Sequence, residues 1–195
     1  MRMVELREEL LFKQPESSCY GDCPICFLPL SLDLNKSGMM ACCSKMICVG
    51  CSYAYLIREK EQKIESKCPF CRHPRAKSEE EADRNMKRVE ANDPVALREE
   101  GKRRYEEGDY KSAFEYFSKA AELGDIAAHY NLSTLYHRGG VVEKDEKKEL
   151  HHLEEAAIAG HPHGRHNLGW YEGTNGRIER AVKHHIIAAN LGRDN

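Results

Sequence analysis

Nine cysteines lie between Cys19 and Cys71, and none occurs in the 124 residues that follow. Three Cys-x-x-Cys pairs, Cys23/Cys26, Cys48/Cys51 and Cys68/Cys71, stand with a fourth pair, Cys42 and Cys43. A Cys-x-x-Cys turn lets two thiolates face one ion, and tetrahedral zinc with Zn–S bonds of about 2.3 Å needs that convergence. Eight thiolates make two closed sites, so the expected cofactor is two structural zinc ions. A closed site cannot activate water, which argues against a metallohydrolase. Cys42 and Cys43 can serve one ion only if the chain turns there, because adjacent side chains in a strand point to opposite faces. Otherwise Cys19 or His73 completes the set. Spacing alone leaves open whether neighbouring or alternate pairs share an ion.

These cysteines must be held by a short segment, residues 19–76, whose own core is marginal. Structural zinc, with apparent binding free energies of roughly 10–16 kcal/mol in small peptides, is the usual remedy. Residues 1–18 form an N-terminal flank. Residues 77–92 carry the Glu79–Glu81 run and few apolar side chains, and read as a charged linker or solvated helix. Asp93 as N-cap and Pro94 at the first helical position then open a second domain, 93–192.

That domain repeats itself. Lys119–Gly124 returns as Glu155–Gly160 and as Ile187–Gly192, with closing glycines 36 and then 32 residues apart. Leu132-Ser133 matches Leu168-Gly169, and Tyr105-x-x-Gly108 is matched to Tyr136-x-x-Gly139. Tyr110, Ala113, Phe114, Phe117 and Ala121 draw one apolar helical face. Ile178, Ala181, Val182, His185, Ile186 and Ala189 draw the corresponding face in the third repeat, and Leu150, Leu153 and Ala157 a thinner one in the second. The glycine after each stripe suits a left-handed C-cap. These segments resemble Sel-1-like repeats, relatives of the tetratricopeptide repeat, through the Leu-Gly-type pair, the loop at 140–145 and the Ala-Ala-x-x-Gly ends. Ser133 stands where that family has glycine. The resemblance implies a right-handed helical solenoid that contacts proteins.

The cysteine segment resembles a RING finger, closest to its all-cysteine variant. Cys23-Pro24-Ile25-Cys26 matches the opening and Cys68-Pro69-Phe70-Cys71-Arg72 the close. The resemblance implies crossed ligand sets: Cys23, Cys26, Cys48 and Cys51 on one zinc, Cys42, Cys43, Cys68 and Cys71 on the other. The expected fold class is therefore a small zinc-stabilised α+β RING domain followed by an all-α helical-repeat solenoid. The implied activity is that of a ubiquitin-protein ligase without a covalent intermediate of its own, which orients a ubiquitin-loaded conjugating enzyme. Ile25, Tyr55 or its rival Leu56, and Pro69 would contact the conjugating enzyme, and Arg72 would serve as the catalytic cationic linchpin. Each has a plainer role open to it: Ile25 and Pro69 packing the zinc loops, Tyr55 packing a helix core, Arg72 balancing tetrathiolate charge with Lys45 and Lys67. The repeats would recruit a protein substrate or adaptor. A non-enzymatic scaffold is the alternative.

Composition excludes other classes. Lys+Arg 30 against Asp+Glu 32 gives a net charge of -2, unlike a nucleic-acid or anionic-membrane binder. No apolar run is long enough to span a bilayer. Met1–Lys13 lacks the apolar core of a secretory signal, so an intracellular, cytoplasmic or nuclear location is expected, where metal thiolates outrank disulfides. Nine of the ten histidines fall in the repeats and read as helix-surface and loop side chains.

Overall fold

The fold is that of a computed structural model, which describes residues 2–31, 33, 36–74 and 78–192. Helix α1 (Arg2–Phe12) precedes the cysteine segment. That segment holds a two-stranded antiparallel hairpin, β1 (Ser37–Met40) and β2 (Lys45–Cys48), followed by α2 (Val49–Gln62). Helix α3 (Ser78–Glu90) leads into six helices of 13 residues each: α4 (Pro94–Glu106), α5 (Tyr110–Glu122), α6 (Ile126–Arg138), α7 (Glu146–Ile158), α8 (Pro162–Thr174) and α9 (Ile178–Asn190). Among the described residues no helix is long and apolar enough to cross a membrane. The expected boundary at 76/77 lies outside the described residues, as do the side chains of Glu79 and Glu81.

Local chemistry starts these helices. Asp93, Asp109, Asp125 and Asp145 each accept a backbone N–H two or three residues on, satisfying donors that a helix N-terminus leaves free. Gly124, Gly160 and Gly192 follow α5, α7 and α9 with φ of 89°, 80° and 91°, the left-handed region that stops a helix. Within each repeat the two helices cross closely. A Cβ on Gly101 would lie 2.7 Å from the Phe117 ring, so α4 and α5 approach only because that position has no side chain. Gly169 stands in the same relation to His185. At the equivalent place in α6, Ser133 turns its hydroxyl back to Tyr130 O at 2.7 Å.

Ala120, Ala156 and Ala188 are buried at one shared position of the second helices. Consecutive helices form a single array: α4 on α5, α5 on α6, α6 on α7, α7 on α8 and α8 on α9. One expected match is out of register. Helices α4 and α6 begin 32 residues apart, so Tyr105 corresponds to His137, and Tyr136 to Arg104.

The flank and linker do more than connect. Leu11 of α1 is buried with Ala157 and Leu168, and Phe12 stacks on His184 of α9 with ring centroids 4.7 Å apart. Arg7 pairs with Glu154 of α7 at 2.7 Å, and Glu8 with Arg180 of α9 at 2.6 Å. In α3, Val89 joins Ala96 and Leu97 of α4 in one apolar cluster.

Candidate metal centre

The hairpin, α2 and two knuckle loops hold the sulfurs. Both outer knuckles are built alike. In the first, Cys23 N–H donates to Leu28 O and Phe27 N–H to Cys23 O, each at 2.8 Å. In the last, Cys68 N–H donates to His73 O at 2.7 Å and Arg72 N–H to Cys68 O at 3.1 Å. Phe27 and Arg72, directly after the second cysteine of each, share a left-handed backbone, φ 57° and 62°. Cys48 caps the N-terminus of α2, its sulfur accepting from Cys51 N–H at 3.4 Å. The chain turns at Ala41–Ser44: Cys43 N–H and Ser44 N–H both donate to Met40 O, at 3.0 and 2.8 Å. This tight turn lets adjacent Cys42 and Cys43 face the same side.

Two sets of four sulfurs result: Cys23, Cys26, Cys48 and Cys51, and Cys42, Cys43, Cys68 and Cys71, each set within 4.8 Å. Cys23/Cys26 converges with Cys48/Cys51, and Cys42/Cys43 with Cys68/Cys71, so alternate pairs along the chain share a site. A zinc tetrahedron with arms of about 2.3 Å has edges of about 3.8 Å. Cys26–Cys48 and Cys43–Cys68 sulfurs are both 3.8 Å apart, and Cys42–Cys71 are 3.3 Å apart. The donor set and its spacing thus fit a four-coordinate, thiolate-binding metal. Cys19 and His73 lie outside both sets. The Cys19 thiol is pushed up to about 12, first by burial and then by Asp125, while its N–H donates to Gly160 O at 3.0 Å.

The electrostatics divide each set. Burial disfavours the Cys23 thiolate, but N–H groups of Cys48, Cys26 and Ile25 outweigh it and bring the thiol down to about 6. Cys68, likewise opposed by burial, is brought to about 7 by the N–H groups of Cys71 and Phe70. Cys42 and Cys43 are raised, chiefly by burial and then by hydrogen bonding to neighbouring sulfurs for Cys42. One sulfur per set is prepared as an anion. The raised thiols of Cys42, Cys43 and Cys51 need a cation to lose their protons.

A family model described as Sel1 repeat matches residues 96–125, 126–161 and 162–192. Residues 96–192 are three Sel1 repeats. HcpC of Helicobacter pylori, named as a candidate beta-lactamase, is 41% identical over 56 residues, 29% of this chain and 19% of that protein. A Sel1 repeat protein of Oxalobacter formigenes superposes with a TM-score of 0.53 at 25% identity, over 72% of this chain and 57% of that one. The protective antigen c5321 of uropathogenic Escherichia coli, which displays an SLR fold, gives 0.51 at 30% identity, over 57% and 26%. The chain therefore spans less than two thirds of each of these proteins.

The cysteine module is tied to the Sel1 array by a residue the sequence did not single out. Arg88 of α3 donates to Ala41 O at 2.7 Å and to the Ser44 hydroxyl, both on the turn carrying Cys42 and Cys43. It also pairs with Asp93, the N-cap of the array, at 2.7 Å. Glu59 of α2, buried, accepts from Ser66 Oγ at 2.9 Å and Lys67 N at 3.1 Å, and so anchors the approach to the last knuckle. No local pattern announces Arg88, whose partners Ala41 and Ser44 are 47 and 44 residues away.

The remaining expected site residues lie on the module surface. Ile25 is 42% exposed, Leu56 37%, and Arg72 is exposed, whereas Tyr55 and Pro69 are half-buried. Phe27, Leu28, Val49 and Tyr53 are exposed as well. A cleft of about 710 Å³ opens between the module and the Sel1 array. Met39 and Met46 face it from the hairpin, and Val95, Ile126 and Tyr130 from the array. Ser37 Oγ and Asn131 Nδ2 also lie there, buried and without a hydrogen-bond partner among the described residues.

Two histidines expected at the surface are buried. His161 caps α8 through Nδ1, which accepts from Gly164 N–H at 3.1 Å. His184 is fully buried beneath Phe12, 3.3 Å from the Arg165 guanidinium. Helix packing overrode their polarity.

Proposed function

We propose that the cysteine module is a RING-type finger holding two zinc ions, and that the chain acts as a ubiquitin-protein ligase. The crossed order of the converging pairs carries this reading. Cys23, Cys26, Cys48 and Cys51 would hold one ion and Cys42, Cys43, Cys68 and Cys71 the other. Zinc in such closed sites supplies structure, cross-linking loops too short to form a core.

The module would dock a conjugating enzyme loaded with ubiquitin as a thioester. Ile25, Leu56 and Pro69 would offer the apolar contacts, with Tyr55, half-buried, packing behind them. Arg72 is exposed on a left-handed turn held by its own N–H. Its fork of donors would bridge ubiquitin and the conjugating enzyme and restrain the thioester in a near-attack geometry. The attacking amine and the reacting cysteine belong to the partners. Sel1 repeats mediate protein contacts, and the cleft between module and array is the proposed place for an adaptor or substrate segment. Its Asn131 amide, unpaired among the described residues, would be a donor for a peptide carbonyl.

The test is single-turnover discharge of a panel of ubiquitin-loaded conjugating enzymes to free lysine by zinc-replete protein. Accelerated discharge, reduced about tenfold or more by Arg72→Ala with zinc content unchanged, is the expected result. No acceleration by any member of the panel, with two ions bound, would overturn the ligase reading and leave a protein-binding scaffold.

A further inference from the structure

The cleft between module and array has two walls drawn from distant parts of the chain. Strand periodicity builds one. Ser37 and Met39 share a face of β1, and Met46 of β2 stands directly opposite Met39. Helical periodicity builds the other. Val95, Glu99 and Lys102 face the cleft from α4 at i, i+4 and i+7, and Ala127 and Asn131 face it from α6 at i and i+4. Because α4 and α6 begin 32 residues apart, Ala127 and Asn131 hold the positions of Val95 and Glu99.

The two walls are pinned to each other. Cys19 N–H donates to Gly160 O at 3.0 Å, and the Tyr20 hydroxyl lies 3.4 Å from His161 Nε2. Arg88 joins the hairpin turn to Asp93 at the start of α4. A cleft formed in advance spares a ligand the cost of ordering it.

The lining states what that ligand must offer. Its cations are already matched by carboxylates of the same chain. Arg98 pairs with Asp125 at 3.0 Å and with Glu99, and Lys102 pairs with Glu99 at 3.0 Å. These pairs leave little to attract a phosphate, an acidic peptide or a basic one. The unmet demand is neutral. Ser37 Oγ on one wall and Asn131 Nδ2 on the other are buried with no hydrogen-bond partner among the described residues. Each such atom costs about 1–3 kcal/mol while unpaired. Asn131 Nδ2 donates only, and Ser37 Oγ donates or accepts. A peptide main chain offers an acceptor and a donor, and offers them freely only where it is extended, since a helix pairs its own. Between these polar atoms, Met39 and Met46 face Val95, Ile126 and Tyr130, a slot for one apolar side chain. The unbranched methionines adapt to its shape.

We propose that the cleft binds an extended, uncharged peptide segment through one apolar anchor residue, with its main chain hydrogen-bonded to Asn131 and Ser37. This rests on the assignment of the cleft to a substrate or adaptor segment and names the chemistry of that segment.

The probe is a displayed library of random dodecapeptides, selected on the full chain in reducing, zinc-replete buffer. Selected peptides are then titrated by fluorescence anisotropy. Sequences with one Leu, Met or Phe among uncharged residues are expected, with dissociation constants on the order of 10–100 µM. Met39→Glu and Asn131→Leu, on opposite walls, should each weaken binding about tenfold or more, with metal content and helicity unchanged. Asn131→Leu should also leave the melting temperature of the peptide-free protein unchanged or raised, because Nδ2 gives up no hydrogen bond. A selection that yields no peptide or only charged ones, binding indifferent to both substitutions, or a melting temperature lowered by Asn131→Leu would overturn the proposal. Discharge of a conjugating enzyme to free lysine does not use the cleft, so the ligase reading stands or falls separately.

Discussion

Two double serine substitutions separate crossed from neighbouring ligand sets by opposite outcomes. Cys23 and Cys48 belong to one four-sulfur set, and Cys48 and Cys68 to different ones. Serine at 48 can still cap α2, where the sulfur now accepts from Cys51 N–H. It removes a thiolate, however. A structural zinc contributes about 10–16 kcal/mol through four ligands, so each ligand accounts for roughly 3–4 kcal/mol, or about 10²–10³-fold in affinity. Cys23→Ser with Cys48→Ser should therefore strip one site and spare the other, leaving about one ion per chain after challenge by a chromogenic chelator. Cys48→Ser with Cys68→Ser should damage both sites and release both ions. The readouts are zinc by elemental analysis and the released fraction by chelator absorbance, with helicity of the repeat array as the folding control. If instead the first variant lost both ions and the second kept one, neighbouring pairs would share each ion. The geometry behind the RING reading would then be wrong.

Other consequences are equally measurable. Arg165 is fully buried and donates to Leu11 O of α1 and Ala157 O of α7. Arg165→Met should cost about 1–3 kcal/mol in denaturant unfolding and speed amide exchange across α1, the orphaned carbonyls outweighing relief of a buried charge. Gly101→Ala forces a Cβ into the Phe117 ring and should destabilise by about 1–3 kcal/mol, whereas Gly50→Ala, with open space around it, should not. Burial lowers His152 and His184 to about 4, with neighbouring His129 and Arg165 adding to the shift. The unfolded chain, with histidines near 6.5, then binds more protons than the folded one between about pH 4 and 6.5, so melting temperature should fall as pH drops through that window. Arg88→Ala removes the link between the Cys42–Cys43 turn and Asp93, and should raise proteolytic nicking near α3 while leaving the metal content unchanged.

What could be read in advance was whatever the chain encodes at short range. The knuckles, the Asp93 cap and the closing glycines are local, and each appears where spacing placed it, whereas the caps at Asp109, Asp125 and Asp145 were not singled out. Long-range partners had no such signal. Arg165 and Leu11 are 154 residues apart, and nothing in Met1–Lys13 announced that α1 would be held by a guanidinium from the third repeat. Arg88 looked like one more charge in a charged stretch, yet it joins the turn that presents two cysteines to the first cap of the array.

Helix α9 shows a different failure, one of degeneracy rather than distance. Its sequence is apolar on two sides. Ala181, His184, Ile187 and Ala188 are buried, while Ile178, Val182 and Ile186 are exposed. Periodicity drew one face through Ile178, Ala181, Val182, His185, Ile186 and Ala189, of which only Ala181 is buried. Packing selected the first because small side chains and a flat imidazole let α8 come close, as the Gly169–His185 approach requires. A hydrophobic pattern ranks transfer free energies, but helix contact also depends on how near two backbones can come. Where the two criteria disagree, the larger apolar side chains of α9 are left outside while its small Ala181 is buried.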